Sequence, residues 1–259
     1  MSDPDIPRGP VLPRIVFLGR SDEEYRRLWG FGPEDLIGRR VLDCPCGPAG
    51  FVAACRTAGV EAFGCDPVLA LEPEAIRRRG ERDRLETAAA LAARDPALAG
   101  GDPEAWHREK AQSLEAFLED FATHGPGGAS ADGRYVAAGL PHLPFENRSF
   151  DLVLSAHLLF TYASIEQGGL VGAAESLDVE FHLAAVDELV RVTAAELRLF
   201  PVYAHDPSHP RPHALLELVR DRLQDLGLTT ELVRSEYDQG VADVPDTLIA
   251  RRDGMSAVV

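Results

Sequence analysis

Val41-Leu42-Asp43-Cys44-Pro45-Cys46-Gly47-Pro48-Ala49-Gly50-Phe51 joins an apolar run to a helical one through a loop dense in turn residues. Residues 40–44 have the length and apolar content of a buried strand. Two prolines and two glycines within 45–50 then break it. A helix starts at Phe51 and ends near Gly59, and 60–65 is a second apolar strand closed by Asp66-Pro67. A strand, a loop, a helix and another strand within about 30 residues have the span of a nucleotide-binding βαβ half.

The same alternation continues outward. Residues 1–14 read as an extended arm, and 21–29 as a helix capped by Ser21, with Glu23 and Glu24 in its first turn and Arg26 and Arg27 later. Strand patterning returns at 134–138, 149–155, 196–203, 229–235 and 247–251, with helices at 178–192 and 213–226. This predicts an α/β fold: a doubly wound, mainly parallel, seven-stranded Rossmann-like sheet. Residues 71–130 interrupt it. They are charged and Ala-rich, with helical periodicity over 74–94 and 102–123 and a break near Gly100-Gly101. The expected division is an arm and helix over 1–39, the α/β domain over 40–70 and 131–259, and a helical insertion over 71–130.

Composition narrows the function classes. The 259 residues are 45% hydrophobic, enough for one large buried core. A net charge of −16 with interspersed cations argues against a nucleic-acid partner, which needs clustered Lys and Arg. Lys110 is the sole lysine against 25 arginines, so no single Arg marks a site. Arg77-Arg78-Arg79 is flanked by Glu72, Glu74 and Glu81 and reads as a solvated helix face. Residues 1–10 lack an apolar signal core, and no run of 18 apolar residues exists. The expectation is a cytoplasmic protein without membrane partners. Cys44, Cys46, Cys55 and Cys65 cluster within 22 residues. Cys44-x-Cys46 departs from the Cys-x2–4-Cys spacing of zinc sites, so reduced buried thiols and no metal are expected.

The loop discriminates among ligands. A phosphate-binding Gly-x4-Gly-Lys-Ser/Thr is absent. A dinucleotide fingerprint wants Gly-x-Gly-x-x-Gly, whereas Gly47 and Gly50 stand alone and Pro45 falls where the first glycine belongs. An adenosine ligand without phosphate is the third class, and it needs fewer phosphate-cradling glycines. Gly47 lets a ligand approach the backbone, and Asp66, 23 residues after Asp43, is placed to accept from both ribose hydroxyls.

Residues 41–50, Gly64-Cys65-Asp66-Pro67, "LPFENRSFDLVLSAHLLF" from Leu143 and "VDELVRVTAAELRLFPV" from Val186 resemble, in order, the signatures of class I S-adenosylmethionine-dependent methyltransferases. The likeness covers roughly 14–70 and 134–252 and leaves the insertion unexplained. Within the family the chain is similar to a bacterial and archaeal subgroup whose loop reads Asp-Cys-Pro-x-Gly-Pro and whose N-terminal stretch is like Phe17-Leu18-Gly19-Arg20-Ser21-x-x-Glu24-Tyr25.

The resemblance implies S-adenosylmethionine as cofactor and a set of roles. Asp43 orients the loop and the amino-acid end of the cofactor; Pro45, Cys46 and Gly47 line its path; Asp66 holds the ribose. Gly139 and Leu140 lie beside the adenine, Ser155, Ala156 and His157 pass under the methionine portion, and Gly19, Arg20 and Tyr25 close over the carboxylate. The helical insertion then covers the site as a lid. Two departures stand out: Pro45 and Ala49 replace outer loop glycines, and Gly139 stands where the family carries an acid.

His157 is the candidate general base, with a pocket histidine packed on the cofactor as the alternative; Tyr162 either orients an acceptor or forms the wall. His182 reads as structural, and His205, His209 and His213 lie in a Pro-rich loop. The implied activity is methyl transfer to a small-molecule acceptor, in an oligomeric state the sequence leaves open. A cofactor-binding protein without turnover, and an NAD or nucleotide-sugar enzyme on a Rossmann-like fold, are the rivals. The latter would need a third loop glycine and a Tyr-x3-Lys pair, both missing.

Overall fold

A computed structural model of the chain describes residues 11–92, 103–206, 208–237, 241 and 244–254. The described residues form one seven-stranded sheet. Its strands are β1 (Arg40–Asp43), β2 (Glu61–Cys65), β3 (Tyr135–Val136), β4 (Phe150–Ala156), β5 (Thr193–Phe200), β6 (Leu228–Val233) and β7 (Thr247–Arg252), in the order β3-β2-β1-β4-β5-β7-β6. The first five pair in parallel; β7 runs antiparallel to both β5 and β6. In register, Leu42 sits between Phe63 of β2 and Val153 of β4. β4 is buried at six of its seven positions, as expected of a central parallel strand covered on both faces.

Helices cover both faces. On one side α1 (Asp22–Trp29) and α2 (Phe51–Thr57) bury Tyr25, Leu28, Trp29, Phe51 and Cys55 against Val41, Leu152 and Leu154. On the other, α5 (Val179–Val192) and α6 (Leu216–Asp225) bury Val186, Leu189, Val219 and Leu223 against Leu42, Val153 and Leu197. α1 carries a full capping box. The Glu24 amide donates to Ser21 Oγ at 3.2 Å, and the Ser21 amide donates to Glu24 Oε2 at 2.9 Å. Gly30 ends the helix at φ 77°.

The 71–130 segment contributes two long helices, α3 (Pro73–Ala92) and α4 (Pro103–His124). Leu114, Phe117, Leu118 and Phe121 of α4 pack with Ile76 of α3, Val52 of α2, Tyr135 of β3 and Phe17 of the arm. The expected break near Gly100-Gly101 lies outside the described residues, as does the start of the arm. The strand expected over 196–203 is shifted: it begins at Thr193, directly after α5, and ends at Phe200. Pro201 has no N–H to give a ladder, so the strand stops before it. No helix of the described residues is long and apolar enough to cross a membrane.

Candidate active site

The strand order reverses between β1 and β4: β2 and β3 extend to one side of them, β5, β7 and β6 to the other. In open α/β sheets ligands bind outside the carboxyl ends of the strands at such a point. A cavity of about 440 Å³ opens there. Arg20, Pro45, Cys46, Gly47, Asp66, Gly139, Leu140, Ala156, His157 and Tyr162, all singled out from sequence, line it. Gly19, Tyr25, Asp43 and Ser155 do not.

At the sheet end, Gly47 takes φ 53°, a left-handed conformation that a side chain would strain. This turns its N–H toward Asp66 Oδ2, at 3.2 Å, while the Val68 amide donates to Asp66 Oδ1 at 2.9 Å. Asp66 is 7% exposed, and burial raises its pKa. Each carboxylate oxygen keeps a lone pair, so the group can still accept from two neighbouring hydroxyls. Beside Asp66, a Cβ on Gly139 would fall 2.5 Å from Pro67 Cγ, so the two segments meet this closely only with glycine there. Cys44, Cys46 and Cys65 also face the cavity. Burial pushes the Cys46 thiol well above the usual range, and the hydrogen bond with Cys65 together with burial does the same to Cys44. Cys44 and Cys46 are protonated, small wall residues. Among the described residues no three His, Cys, Asp or Glu side chains gather into a metal site.

Behind the loop, Asp43 is fully buried, and Tyr25 OH donates to its Oδ2 at 2.7 Å. The Tyr25 ring stacks on Phe51 with centroids 4.6 Å apart. Burial pushes Asp43 up to about 7, against the Tyr25 hydrogen bond and the Arg20 charge, which hold it down. Gly19 crosses the loop so closely that a Cβ would lie 1.9 Å from Pro48 O. Arg20 lines the cavity, and its Nε is buried without a partner among the described residues.

The rim holds a cluster that sequence reasoning missed. Glu24, 3% exposed, pairs with Lys110 of α4 and accepts from Tyr237 OH at 2.8 Å. Burial raises the Glu24 pKa, but Lys110 and Arg20 outweigh it and hold the carboxyl below its ordinary value. Asp83 of α3 is the matching anchor for the arm. It accepts from the Phe17 amide at 2.7 Å, from Arg79 Nε at 2.6 Å and from Arg14 Nη2 at 2.5 Å. The Arg77-Arg78-Arg79 run is therefore not uniformly solvated. Arg78 pairs with Glu74 at the surface, while Arg79 turns inward to Asp83 and the cavity.

The rest of the cavity is mainly apolar. Leu12 and Val16 of the arm, Leu91 of α3, Trp106 of α4, and Leu158 and Leu170 after β4 contribute to it. His157 follows β4 at φ 54°, its ring 5.0 Å from Phe200 and 6.5 Å from Tyr237. Tyr162 OH is engaged with the arm, accepting from the Val16 amide at 3.1 Å, and burial pushes its pKa up to about 12. His182 and His213 are buried and held neutral by burial, His213 at about 3. His205, by contrast, reaches the cavity.

No protein-family model matches the chain, and no curated protein matches it. Solved structures do, at low identity. The magnesium protoporphyrin IX methyltransferase of Synechocystis PCC 6803 with bound SAM is 14% identical over 89% of this chain and 90% of its own, with a TM-score of 0.41. The 1,6-didemethyltoxoflavin-N1-methyltransferase of Burkholderia thailandensis, with bound 1,6-didemethyltoxoflavin and S-adenosylhomocysteine, is 14% identical over 89% and 83%, TM-score 0.40. A SAM-dependent methyltransferase of Methanosarcina mazei is 15% identical over 83% and 92%, TM-score 0.42.

Proposed function

We propose that the protein transfers a methyl group from S-adenosylmethionine to a small-molecule acceptor. The observation that carries this is the continuity of one cavity, from the carboxylate of Asp66 at the strand ends to an apolar chamber behind the arm and insertion. A binding site for an adenosyl group alone would not need that apolar extension. The residues present fit the cofactor. Asp66 has acceptor capacity left for ribose hydroxyls, and the buried Arg20 Nε suits a carboxylate. Pro45, which brings no N–H, is compatible with a ligand that has no phosphate to cradle.

In this reading Gly139 and Leu140 flank the adenine, while Pro45, Cys46 and Gly47 follow the cofactor backbone. Asp43, Tyr25 and Gly19 brace the loop from behind. Ser155, Ala156 and His157 lie under the methionine portion. The bound cofactor supplies an activated methyl group. The chain's task is to align the acceptor and exclude water. α3 and α4 serve as the lid, since Thr87, Leu91, Trp106 and Lys110 face the same cavity as Asp66. His157 takes the acceptor's proton where the acceptor carries one.

Calorimetry with S-adenosylmethionine and S-adenosylhomocysteine tests this directly. Saturable binding of both is expected. No heat at about 1 mM ligand, a concentration matching a very weak complex, overturns the reading.

A further inference from the structure

We infer that the acceptor is an uncharged ring compound that presents a hydroxyl to Thr161, which His205 orients. The inference rests on the methyl-transfer reading above. Charge matching carries its first half. In a chain of net charge −16, two cations among the described residues, Arg79 and Lys110, reach the apolar part of the cavity, and each already has a buried acid. Arg79 Nε lies 2.6 Å from Asp83, and Lys110 is paired with Glu24; Asp83 is 0% and Glu24 3% exposed. A carboxylate on the acceptor would have to share a cation already neutralised by a buried acid, and among the described residues a cationic acceptor would face no acid left over in this part of the cavity. Arg20, the remaining cation that lines the cavity among the described residues, acts on Glu24 and Tyr237 as well as on Tyr25 and Asp43, and the reading above gives it to the cofactor's carboxylate. The walls left to the acceptor are Leu12, Val16, Leu91, Trp106, Leu170 and Phe181, which reward burial of a flat apolar body.

The second half comes from the polar pair set into those walls. Thr161 is 3% exposed, and its Oγ1 lies 3.2 Å from His205 Nε2. A hydroxyl has one donor and two acceptor positions. If Nε2 carries the proton, Thr161 accepts it and keeps its own O–H to give. If Nε2 is bare, Thr161 donates to it and keeps an oxygen lone pair. A ligand hydroxyl, itself donor and acceptor, satisfies either state; an ether or a halogen satisfies at most one. Backbone geometry holds the pair in place: the His205 amide donates to Gly168 O at 2.8 Å. A Cβ on Gly168 would meet Ala204 Cβ at 2.7 Å, so only glycine allows that approach.

The test uses the full chain saturated with S-adenosylhomocysteine, into which 2-naphthol, 2-fluoronaphthalene and 2-naphthoate are titrated, with binding read by naphthyl fluorescence. We expect 2-naphthol to bind roughly tenfold tighter than 2-fluoronaphthalene, the scale of one net hydrogen bond in a buried site, and 2-naphthoate to bind weakest. Thr161→Val and His205→Ala each erase the preference for 2-naphthol while S-adenosylhomocysteine still binds. If either variant fails to fold, the other variant and the wild-type series decide. Tightest binding of 2-naphthoate, equal binding of all three, or none binding beside bound S-adenosylhomocysteine overturns the acceptor class and leaves the cofactor reading intact. Failure of S-adenosylhomocysteine itself to bind overturns both.

Discussion

Asp43 is fully enclosed, yet only one of its carboxylate oxygens is satisfied: Oδ2 accepts from Tyr25, and Oδ1 has no partner among the described residues. Burial therefore dominates, and the group titrates at about 7. An unfolded Asp titrates near 3.9, about three units lower. The folded state holds the proton more tightly, so this stabilising contribution is full below about pH 4 and is lost as the pH rises through 7. Asp43→Asn keeps an acceptor for Tyr25 and removes the titration. In thermal melts across pH 4–8, the wild type should lose stability relative to Asp43→Asn, by up to about 4 kcal/mol over that window. A difference that does not change with pH counts against the raised pKa. Tyr25→Phe takes away the one side-chain donor to the carboxylate among the described residues, so the loss should begin at the same pH but continue to a higher one. The acid at the end of the first strand was legible from sequence, but its protonation was not, because that depends on what packs around it.

The contact between α1 and α4 depends on the buried Glu24–Lys110 pair, with Ser21 Oγ donating to Glu109 Oε1 at 2.8 Å beside it. Burying two charges costs several kcal/mol that their attraction only roughly offsets, but removing one partner strands the other. Lys110→Ala should therefore cost about 3 kcal/mol, since Glu24 retains Tyr237 and the Ser21 amide. Glu24→Gln combined with Lys110→Met should recover more than half of that. Urea midpoints of the single and double variants measure it, and simple addition of the two single costs would refute a coupled pair. This element also shows where sequence reading stops. Ser21 and Glu24 announce a capped helix because capping is local, three residues apart. Nothing in that spacing reveals that the same Glu24 meets a lysine 86 residues later, and Lys110 stood out only by its rarity. Arg79 misled for the related reason that its neighbours in sequence are acidic and exposed, while its partner Asp83 is enclosed by the fold.

At the scale of the whole molecule, the sheet and its switch point were readable because strand length, turn residues and helix period are each written within a few residues. The loop and Asp66 followed from them. The far wall of the cavity was not readable: the arm, α3, α4 and the segments after β4 and β5 all supply side chains to it, and only the closed fold makes them neighbours. A ligand bound between such distant segments should stabilise the entire chain. At one hundred times its Kd, S-adenosylhomocysteine adds about 2.7 kcal/mol, which for a domain of this size raises Tm by roughly 5–11 °C. Asp66→Asn keeps an acceptor for the Val68 amide but gives up a carboxylate oxygen to the ribose hydroxyls. A tenfold loss of affinity, the low end for a hydrogen bond to a charged group, cuts the stabilisation at the same ligand concentration to about 1.4 kcal/mol. The ligand-induced shift in Tm should therefore fall by about half, whatever the substitution does to the melt without ligand. An Asp66→Asn protein with an undiminished shift would remove Asp66 from the binding site, and a wild type with no shift would remove the adenosyl ligand from the cavity.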